Sequence, residues 1–280
     1  RLGYNWKKGP FELIDDIGTA EFVRRLEAAG LPVAPILTAA AGRPFYRVVD
    51  GVRQVLGLDG TYRDLVRPDG VVMLADVKLT AKPVLKNGSA ALWDIGDGVA
   101  CFEFTSKMNS LDPDIIDLLQ KSIAKVRRDF KAMVVYNEGS QFSVGANLGL
   151  AVFAANIAAW MEIDNLIASG QAAYAALKYA PFPVVGAPSG MALGGGCEIL
   201  LHCDAVQAHA ETYMGLVEVG VGLIPGWGGC KEMLARWASA PKMPKGPMPT
   251  IAKAFELIST ATVAKSAAEA KEMLFLRPAD

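Results

Sequence analysis

The stretch Gly190-Met191-Ala192-Leu193-Gly194-Gly195-Gly196-Cys197-Glu198 decides the interpretation of this chain. Glycines at the point where a strand turns into a helix let backbone N–H groups approach a ligand, because no Cβ stands in the way. The start of the helix adds partial positive charge at the same place. The stretch therefore predicts a cradle for an oxyanion. A tight turn that only packs the helix against the sheet fits the glycines equally well.

Two glutamates accompany this stretch. Glu198 follows Gly195 by about one helical turn, so its carboxylate can lie near a group held by the glycine N–H groups. Glu218 stands among apolar residues and glycines, and such surroundings raise a carboxyl pKa toward acid–base work at neutral pH. The pair indicates catalysis. The structural alternatives are a favourable helix-dipole partner for Glu198 and an unseen salt bridge for Glu218.

A third segment, Phe142-Ser143-Val144-Gly145-Ala146-Asn147-Leu148, follows an apolar run near Val134. Its Gly-Ala-Asn turn could direct a second N–H group at the same oxyanion. By itself the segment also fits an ordinary loop.

Residues 87–280 alternate strand and helix signals, which is typical of an α/β domain. The runs Ala91–Ile95 and Val99–Phe104 flank the turn signal Gly96-Asp97-Gly98 and predict a hairpin. Asp112 followed by Pro113 predicts the start of a helix that continues to about Arg128. Further expected elements are strands at Ala132–Tyr136 and Val184–Ala187 and, after a Pro/Lys-rich loop, helices at Ile251–Ser259 and Ser266–Leu274.

Residues 1–86 have a different texture, with aromatic residues and Gly/Pro punctuation near the start. One amphipathic helix is expected from Ala20 to Ala29, because Gly30 and Pro32 end it. The stretch Val77–Ser89 has the composition of a linker, so the domain boundary is predicted between residues 86 and 87.

The composition excludes several classes of function. The chain has 280 residues, a hydrophobic fraction of 52%, a charged fraction of 20% and a net charge of −1, which together indicate a globular protein without a footprint for nucleic acid. Four cysteines in a chain of this length do not make a disulfide framework, so a reducing, cytoplasmic location is expected. The longest apolar run, Leu148–Met161, is too short to cross a bilayer. The start at Arg1 suggests a portion of a longer chain.

Other signals are set aside. Gly220-Val221-Gly222 lacks the third glycine of a dinucleotide motif. The spacing of Cys197, His202, Cys203 and Asp204 fits no ordinary zinc site, so no metal is expected, and His202 is interpreted as a packing or surface residue. Trp160, Met161 and Tyr174 are expected to line the core or an acyl pocket.

Four groups of residues carry a resemblance to a known family: Lys107-Met108-Asn109-Ser110-Leu111, then Phe142–Asn147, then Gly190–Glu198 with Cys203-Asp204, and finally Glu218 with Pro225-Gly226-Trp227-Gly228-Gly229. Together they resemble the crotonase (enoyl-CoA hydratase/isomerase) superfamily over residues 90 to about 275. The resemblance is specific because the motifs keep the family's order and spacing. It implies an α/β fold in which ββα units form a ClpP-like spiral.

The resemblance also implies roles for single residues. The N–H groups of Ala146 and Gly195 would form the oxyanion hole. Hydratases of this family use two glutamates, matching Glu198 and Glu218, whereas related isomerases typically keep only the one matching Glu218. Two carboxylates therefore favour the addition of water to a trans-2-enoyl-CoA. Glu198 would deprotonate the water that attacks C3, and Glu218 would deliver a proton to C2.

Coenzyme A, as part of the substrate, is the only cofactor that the resemblance implies for this region. Lys107 lies in the family's first CoA-contacting loop, where it could meet the nucleotide phosphates or the adenine; a solvated loop lysine is the alternative. Hydratases commonly have aspartate where Asn147 stands, which puts the local loop structure and the substrate preference in doubt.

Residues 1 to about 50 resemble the C-terminal helical part of 3-hydroxyacyl-CoA dehydrogenases, through Gly3–Asp15, Leu26–Pro32 and Phe45-Tyr46. This suggests the later part of a multifunctional fatty-acid oxidation protein, in a homo-oligomer or a larger oxidation complex. The dehydrogenase's glycine motif and catalytic histidine do not occur here, so NAD is expected only with a dehydrogenase portion elsewhere.

Three alternative functions remain open at this point. Isomerisation of Δ3- to Δ2-enoyl-CoA needs only Glu218. A non-catalytic scaffold that binds acyl-CoA is compatible with Asn147. A docking surface for a dehydrogenase is compatible with the first region.

Overall fold

The computed structural model describes residues 8–241 and 243–280. Its chain divides into two compact units, one ending at Ala81 and the other running from Lys82 to Asp280. The boundary expected between residues 86 and 87 lies at the end of a short strand, Leu85–Lys86, which pairs with the next strand and belongs to the second unit. The beginning of the dehydrogenase-like string, residues 3–7, lies outside the described residues.

The first unit contains mostly helices and a small sheet. The helix expected from Ala20 to Ala29 is present within one residue of its predicted bounds. A three-stranded antiparallel sheet was not predicted, because its first strand is exposed along its whole length and so shows no alternation of buried and exposed residues. The elements are α1 (Pro10–Ile17), α2 (Thr19–Ala28), α3 (Pro35–Ala40), β1 (Tyr46–Val49), β2 (Val52–Leu56), β3 (Tyr62–Asp64) and α4 (Leu74–Thr80).

The second unit alternates strands and helices, as the sequence predicts. Two short 3₁₀ turns, Lys107–Asn109 and Glu218–Val221, complete it. The elements are β4 (Leu85–Lys86), β5 (Ala90–Asp94), β6 (Val99–Phe104), α5 (Pro113–Asp129), β7 (Ala132–Tyr136), α6 (Leu148–Asn156), α7 (Trp160–Lys178), β8 (Val184–Ala187), β9 (Met191–Leu193), α8 (Gly195–Leu201), β10 (Ala205–Val206), β11 (Tyr213–Gly215), α9 (Gly229–Ala238), α10 (Pro247–Ser259), β12 (Val263–Ala264) and α11 (Ala267–Glu272).

The larger sheet has the order β10-β8-β7-β6-β5-β4. The predicted hairpin is confirmed as β5 and β6, which pair antiparallel with Ala90 opposite Phe104. Its turn requires left-handed backbone at Gly96, Asp97 and Gly98, with φ of 93°, 54° and 78°, which explains the two glycines. Strands β6, β7, β8 and β10 run parallel, so the connections between them are crossovers.

Helix α5 shows how local sequence positions an element over the sheet. The Asp112 carboxylate accepts a hydrogen bond from the Ile115 N–H at 2.9 Å, and Pro113 occupies the first helical position. Ile115, Leu119 and Val126 lie at helical spacing on one buried face, and each contributes roughly 1.5–3 kcal/mol by leaving water. The predicted helix start is therefore confirmed.

A second sheet, of order β12-β11-β9, carries the glycine-rich stretch. Strands β9 and β11 pair parallel, with Leu193 opposite Gly215, and β12 pairs antiparallel to β11. The two C-terminal helices predicted from sequence are present as α10 and α11. Within the described residues, no helix combines the length and the apolar character that a bilayer span requires.

Candidate active site

The glycine triplet lies where the sequence predicts, between strand β9 and helix α8. Gly194 precedes the helix with φ 54° and ψ −125°, a conformation suited to glycine. Its N–H donates to the Gly215 carbonyl at 2.9 Å, which ties the turn to β11. The following N–H group, that of Gly195, stands at the first position of the helix.

Close packing around the triplet leaves no room for side chains. A β-carbon on Gly195 would lie 2.8 Å from Cζ3 of Trp227, and one on Gly196 would lie 2.7 Å from Cβ of Ser143. The glycines therefore allow two other segments of the chain to touch the backbone of the turn.

The segment that contains Ala146 is one of these neighbours. Gly145 has φ 93°, and a β-carbon there would lie 2.9 Å from the Leu193 carbonyl and 3.3 Å from the Gly195 nitrogen. The backbone on either side of Ala146 is paired with Leu111, whose N–H donates to the Gly145 carbonyl and whose carbonyl accepts from the Asn147 N–H, both at 2.8 Å. The Ala146 turn therefore lies beside the glycine turn, as the oxyanion prediction requires.

Both predicted donor N–H groups, those of Ala146 and Gly195, are available to a ligand. None of the hydrogen bonds between described residues uses the N–H of Ala146 or that of Gly195. These are the two N–H groups that the resemblance to the crotonase superfamily implies for an oxyanion hole.

Glu198 lies on α8 and is almost completely buried, with 2% of its surface exposed. Its Oε1 atom accepts two backbone hydrogen bonds, from the Trp227 N–H at 2.9 Å and from the Gly229 N–H at 2.8 Å. The loop before α9 therefore holds the carboxyl group in one orientation.

Glu218 begins the 3₁₀ turn after β11. In contrast to Glu198, its carboxyl group is not held by hydrogen bonds from neighbouring residues. Both of its oxygens are buried, and neither accepts a hydrogen bond from the described residues. A β-carbon on Gly194 would lie 3.3 Å from its Oε1 atom, so the carboxyl group reaches the glycine turn. No cation among the described residues lowers the pKa of Glu218, so the salt-bridge alternative for this residue has no support.

Burial changes the acidity of both glutamates. It is the main cause that raises the pKa of Glu198 from 4.5 to about 8, and the nearby charge of Glu218 adds to the rise. The two backbone donors on Oε1 oppose it, because they stabilise the ionised form. Burial also raises the pKa of Glu218. Glu198 can therefore hold a proton at neutral pH, and Glu218 binds its proton more tightly than an exposed glutamate does.

Two residues considered in the sequence make contacts around this pair that the sequence did not predict. The Tyr174 hydroxyl donates to the Gly195 carbonyl at 2.9 Å. His202 Nδ1 donates to the Glu198 carbonyl at 2.7 Å, and its ring is buried, as one of the sequence interpretations has it. Tyr174 lies in the core, as one of the sequence interpretations has it, whereas Trp160 and Met161 are 63% and 80% exposed at the start of α7 and are not core residues. Their place in an acyl pocket stays a prediction.

Lys107 and Asn147 lie at the edge of the site. Lys107 is exposed in the 3₁₀ turn Lys107–Asn109. Asn109 connects this turn to the start of the Ala146 segment, because its Nδ2 donates to the Gln141 carbonyl at 2.8 Å. Asn147 is exposed and its side chain makes no helix cap. Its N–H still bonds to Leu111, so asparagine here leaves the Ala146 backbone paired.

The described residues contain no cluster of three or more histidine, cysteine, aspartate or glutamate side chains with metal-binding geometry. Cys197 and Cys203 are buried within the main core, where burial raises the pKa of the Cys203 thiol to about 12. They pack as small apolar residues.

Comparison with known proteins shows which family the chain belongs to. Residues 94–243 match the family model described as enoyl-CoA hydratase/isomerase. A Bacillus subtilis protein named "Probable 3-hydroxyacyl-CoA dehydrogenase" is 38% identical over the whole chain, which covers 35% of that relative. A Rickettsia felis protein with the provisional name of a fatty acid oxidation complex trifunctional enzyme is 33% identical over 84% of the chain and 30% of the relative. The chain thus spans about a third of these relatives.

Solved structures show the same fold. An enoyl-CoA hydratase from Bacillus anthracis superposes with a TM-score of 0.57 at 24% identity, covering 67% of this chain and 68% of the other. One from Polaromonas sp. JS666 has a TM-score of 0.58 at 23% identity, covering 68% and 69%. The second unit therefore has the crotonase fold predicted from its sequence.

Proposed function

Because this chain belongs to the enoyl-CoA hydratase/isomerase family, we propose that it hydrates trans-2-enoyl-CoA thioesters to 3-hydroxyacyl-CoA. The observation that carries the proposal is the presence of two buried carboxyl groups with raised pKa values, Glu198 and Glu218, at a turn with two available N–H groups. A family member that only shifts a double bond needs one such carboxyl group.

The two N–H groups provide the electrophilic half of the reaction. The thioester oxygen would lie between the N–H of Ala146 and the N–H of Gly195. Attack at C3 moves electron density through the conjugated system onto this oxygen, and the two donors stabilise the resulting enolate. One donor of this kind contributes about 2.7–4 kcal/mol to the transition state.

The carboxyl groups provide the proton transfers. Glu198 would accept a proton from water as the hydroxide adds to C3, while Glu218 would give its proton to C2. Two backbone donors hold the Glu198 carboxyl group in one orientation, as the positioning of an attacking water requires, whereas no other described residue donates a hydrogen bond to the Glu218 carboxyl group. This difference supports the assignment of base to Glu198 and acid to Glu218. Each positioned acid or base accelerates the reaction by about 10²- to 10⁴-fold.

Coenzyme A enters this proposal as part of the substrate. Lys107 is exposed beside the Ala146 segment, so its ammonium group could meet the phosphates of the nucleotide. The names of the longer relatives support a place for this chain in a multifunctional fatty-acid oxidation protein. NAD would then serve a dehydrogenase portion outside this chain, and a homo-oligomer or larger complex would be its assembly.

The test is hydration of a short trans-2-enoyl-CoA, followed by the loss of its ultraviolet absorbance. We expect turnover by the chain and a loss of about 10²-fold or more in Glu198→Gln and in Glu218→Gln. Glu162→Gln, a change at an exposed position of α7, is the matched control. Unchanged hydration in both active-site variants would refute the roles, and CoA-ester binding without turnover would favour a scaffold.

Isomerisation of a Δ3-enoyl-CoA is the second candidate. It is favoured by the absence of hydrogen bonds from other described residues to the Glu218 carboxyl group, because a carboxylate without fixed partners can remove a proton from C2 and return it to C4. Isomerisation that survives in Glu198→Gln, alongside lost hydration, would assign both activities to the site.

A further inference from the structure

The glycine triplet raises a question of rigidity. Glycine has the widest backbone freedom of any residue, yet a donor must be held close to one position to stabilise a transition state. Side chains within the triplet cannot provide this constraint. It must come from other parts of the fold.

We propose that Tyr174 is a positioning residue that orients the Gly195 N–H toward the thioester oxygen. The proposal rests on the hydratase function and deepens it. The donor N–H belongs to the peptide group between Gly194 and Gly195. On one side of this peptide, the Gly194 N–H is tied to the Gly215 carbonyl at 2.9 Å. On the other side, the Gly195 carbonyl accepts from the Tyr174 hydroxyl at 2.9 Å.

Tyr174 is itself held firmly. It is completely buried. Its ring packs edge-on against the Trp227 indole and at a tilt against the His202 ring, both at a centroid distance of 5.5 Å. Burial raises the pKa of Tyr174 well above its ordinary value, with the charge of Glu198 adding to the rise. The hydroxyl therefore keeps its proton and remains a donor.

The same turn of α7 also contacts the loop that holds Glu198. Gln171 donates from Nε2 to the Gly226 carbonyl at 2.7 Å, and a β-carbon on Gly170 would lie 2.2 Å from Nε1 of Trp227. The Trp227 N–H in turn binds the Glu198 carboxyl group. One helical turn thus contacts both the oxyanion donor and the loop that supports the base, and Tyr174 is its link to the donor.

The test compares the full chain with Tyr174→Phe, which keeps the ring and its aromatic contacts but removes the hydroxyl. A saturated acyl-CoA, isotopically labelled at the thioester carbonyl, is bound to each protein, and its carbonyl stretch is measured by infrared difference spectroscopy. We expect wild-type protein to lower the stretch relative to the free thioester, and the variant to lose most of that lowering. The kcat for hydration should fall by about 10- to 100-fold with KM nearly unchanged.

Tyr179→Phe is the matched control, because Tyr179 ends the same helix and is 75% exposed; it should behave as wild type. A Tyr174→Phe protein with the wild-type stretch and the wild-type kcat would overturn the proposal. Lowered thermal stability with an unchanged stretch would also overturn it, since that result means a purely structural role. Wild-type protein that neither hydrates nor lowers the stretch would instead refute the proposed function.

A second variant covers the case in which Tyr174→Phe does not fold. Site-specific 3-fluorotyrosine at position 174 retains the ring contacts and provides a more acidic hydroxyl. We expect it to keep the wild-type kcat and at least the wild-type lowering of the stretch. A loss of either would contradict a role for the hydroxyl as donor.

Discussion

Replacing Glu198 by glutamine should change how stability depends on pH. The glutamine oxygen can accept the same two backbone hydrogen bonds from Trp227 and Gly229, so the variant removes the ionisation and keeps the shape. In the wild type, folding raises the pKa of Glu198 from 4.5 to about 8. Between these values the folded protein holds a proton that the unfolded chain has released, so the wild type loses stability as the pH rises.

The magnitude follows from the two pKa values. At about 1.4 kcal/mol for each pH unit, a rise from 4.5 to about 8 amounts to about 5 kcal/mol, an upper limit. The difference in free energy of unfolding, Glu198→Gln minus wild type, should therefore increase from about pH 5 to about pH 8 and remain constant above about pH 8. Near-complete burial of Glu198 makes a large part of this effect measurable.

Urea denaturation of the full chain at constant ionic strength, repeated from about pH 5 to about pH 9, is the measurement. Four of the five tryptophans lie in the second unit and report on its unfolding by fluorescence: Trp93, Trp160, Trp227 and Trp237. Glu162→Gln at an exposed position is the control and should follow the wild type. A constant difference between Glu198→Gln and the wild type across this range would refute the inference that burial raises the Glu198 pKa.

Three further outcomes are expected. Glu218→Gln should lower kcat for hydration by about 10²-fold or more with little change in KM, because it removes a proton transfer and no ground-state hydrogen bond; an equal rise in KM would contradict this. Gly195→Ala should lower both activity and stability, the latter by about 1–3 kcal/mol in urea denaturation, because the new methyl group meets the Trp227 ring; full activity would show that the turn tolerates a side chain. Asp112→Ala should cost about 1 kcal/mol through the lost cap on α5, and unchanged stability would mean that the cap is dispensable.

Local rules explain the parts of the fold that could be predicted. The β5–β6 hairpin, the start of α5 at Asp112 and the glycine turn before α8 each follow from residues adjacent in sequence. The small antiparallel sheet of the first unit could not be found in this way. Strand β1 is exposed at every position, so it lacks the alternation that distinguishes a half-buried strand.

The supports of the site were beyond sequence reasoning for a related reason. Tyr174 bonds to a carbonyl 21 residues away, and the donors to Glu198 are 29 and 31 residues away. Such contacts depend on how α7 and the loop before α9 pack against α8. A tyrosine in an apolar helix gives no sign of its hydrogen-bond partner.

The sequence by itself determined which groups this protein can offer. Glycines 194–196 permit a backbone cradle, and Glu198 and Glu218 provide two carboxyl groups. Only the tertiary structure decided their chemistry. Acidity depends on exclusion of water and on the nearest charges and donors, and these arise when distant segments pack together. The burial of both carboxyl groups, and the two N–H groups that hold only one of them, are therefore properties of the folded chain.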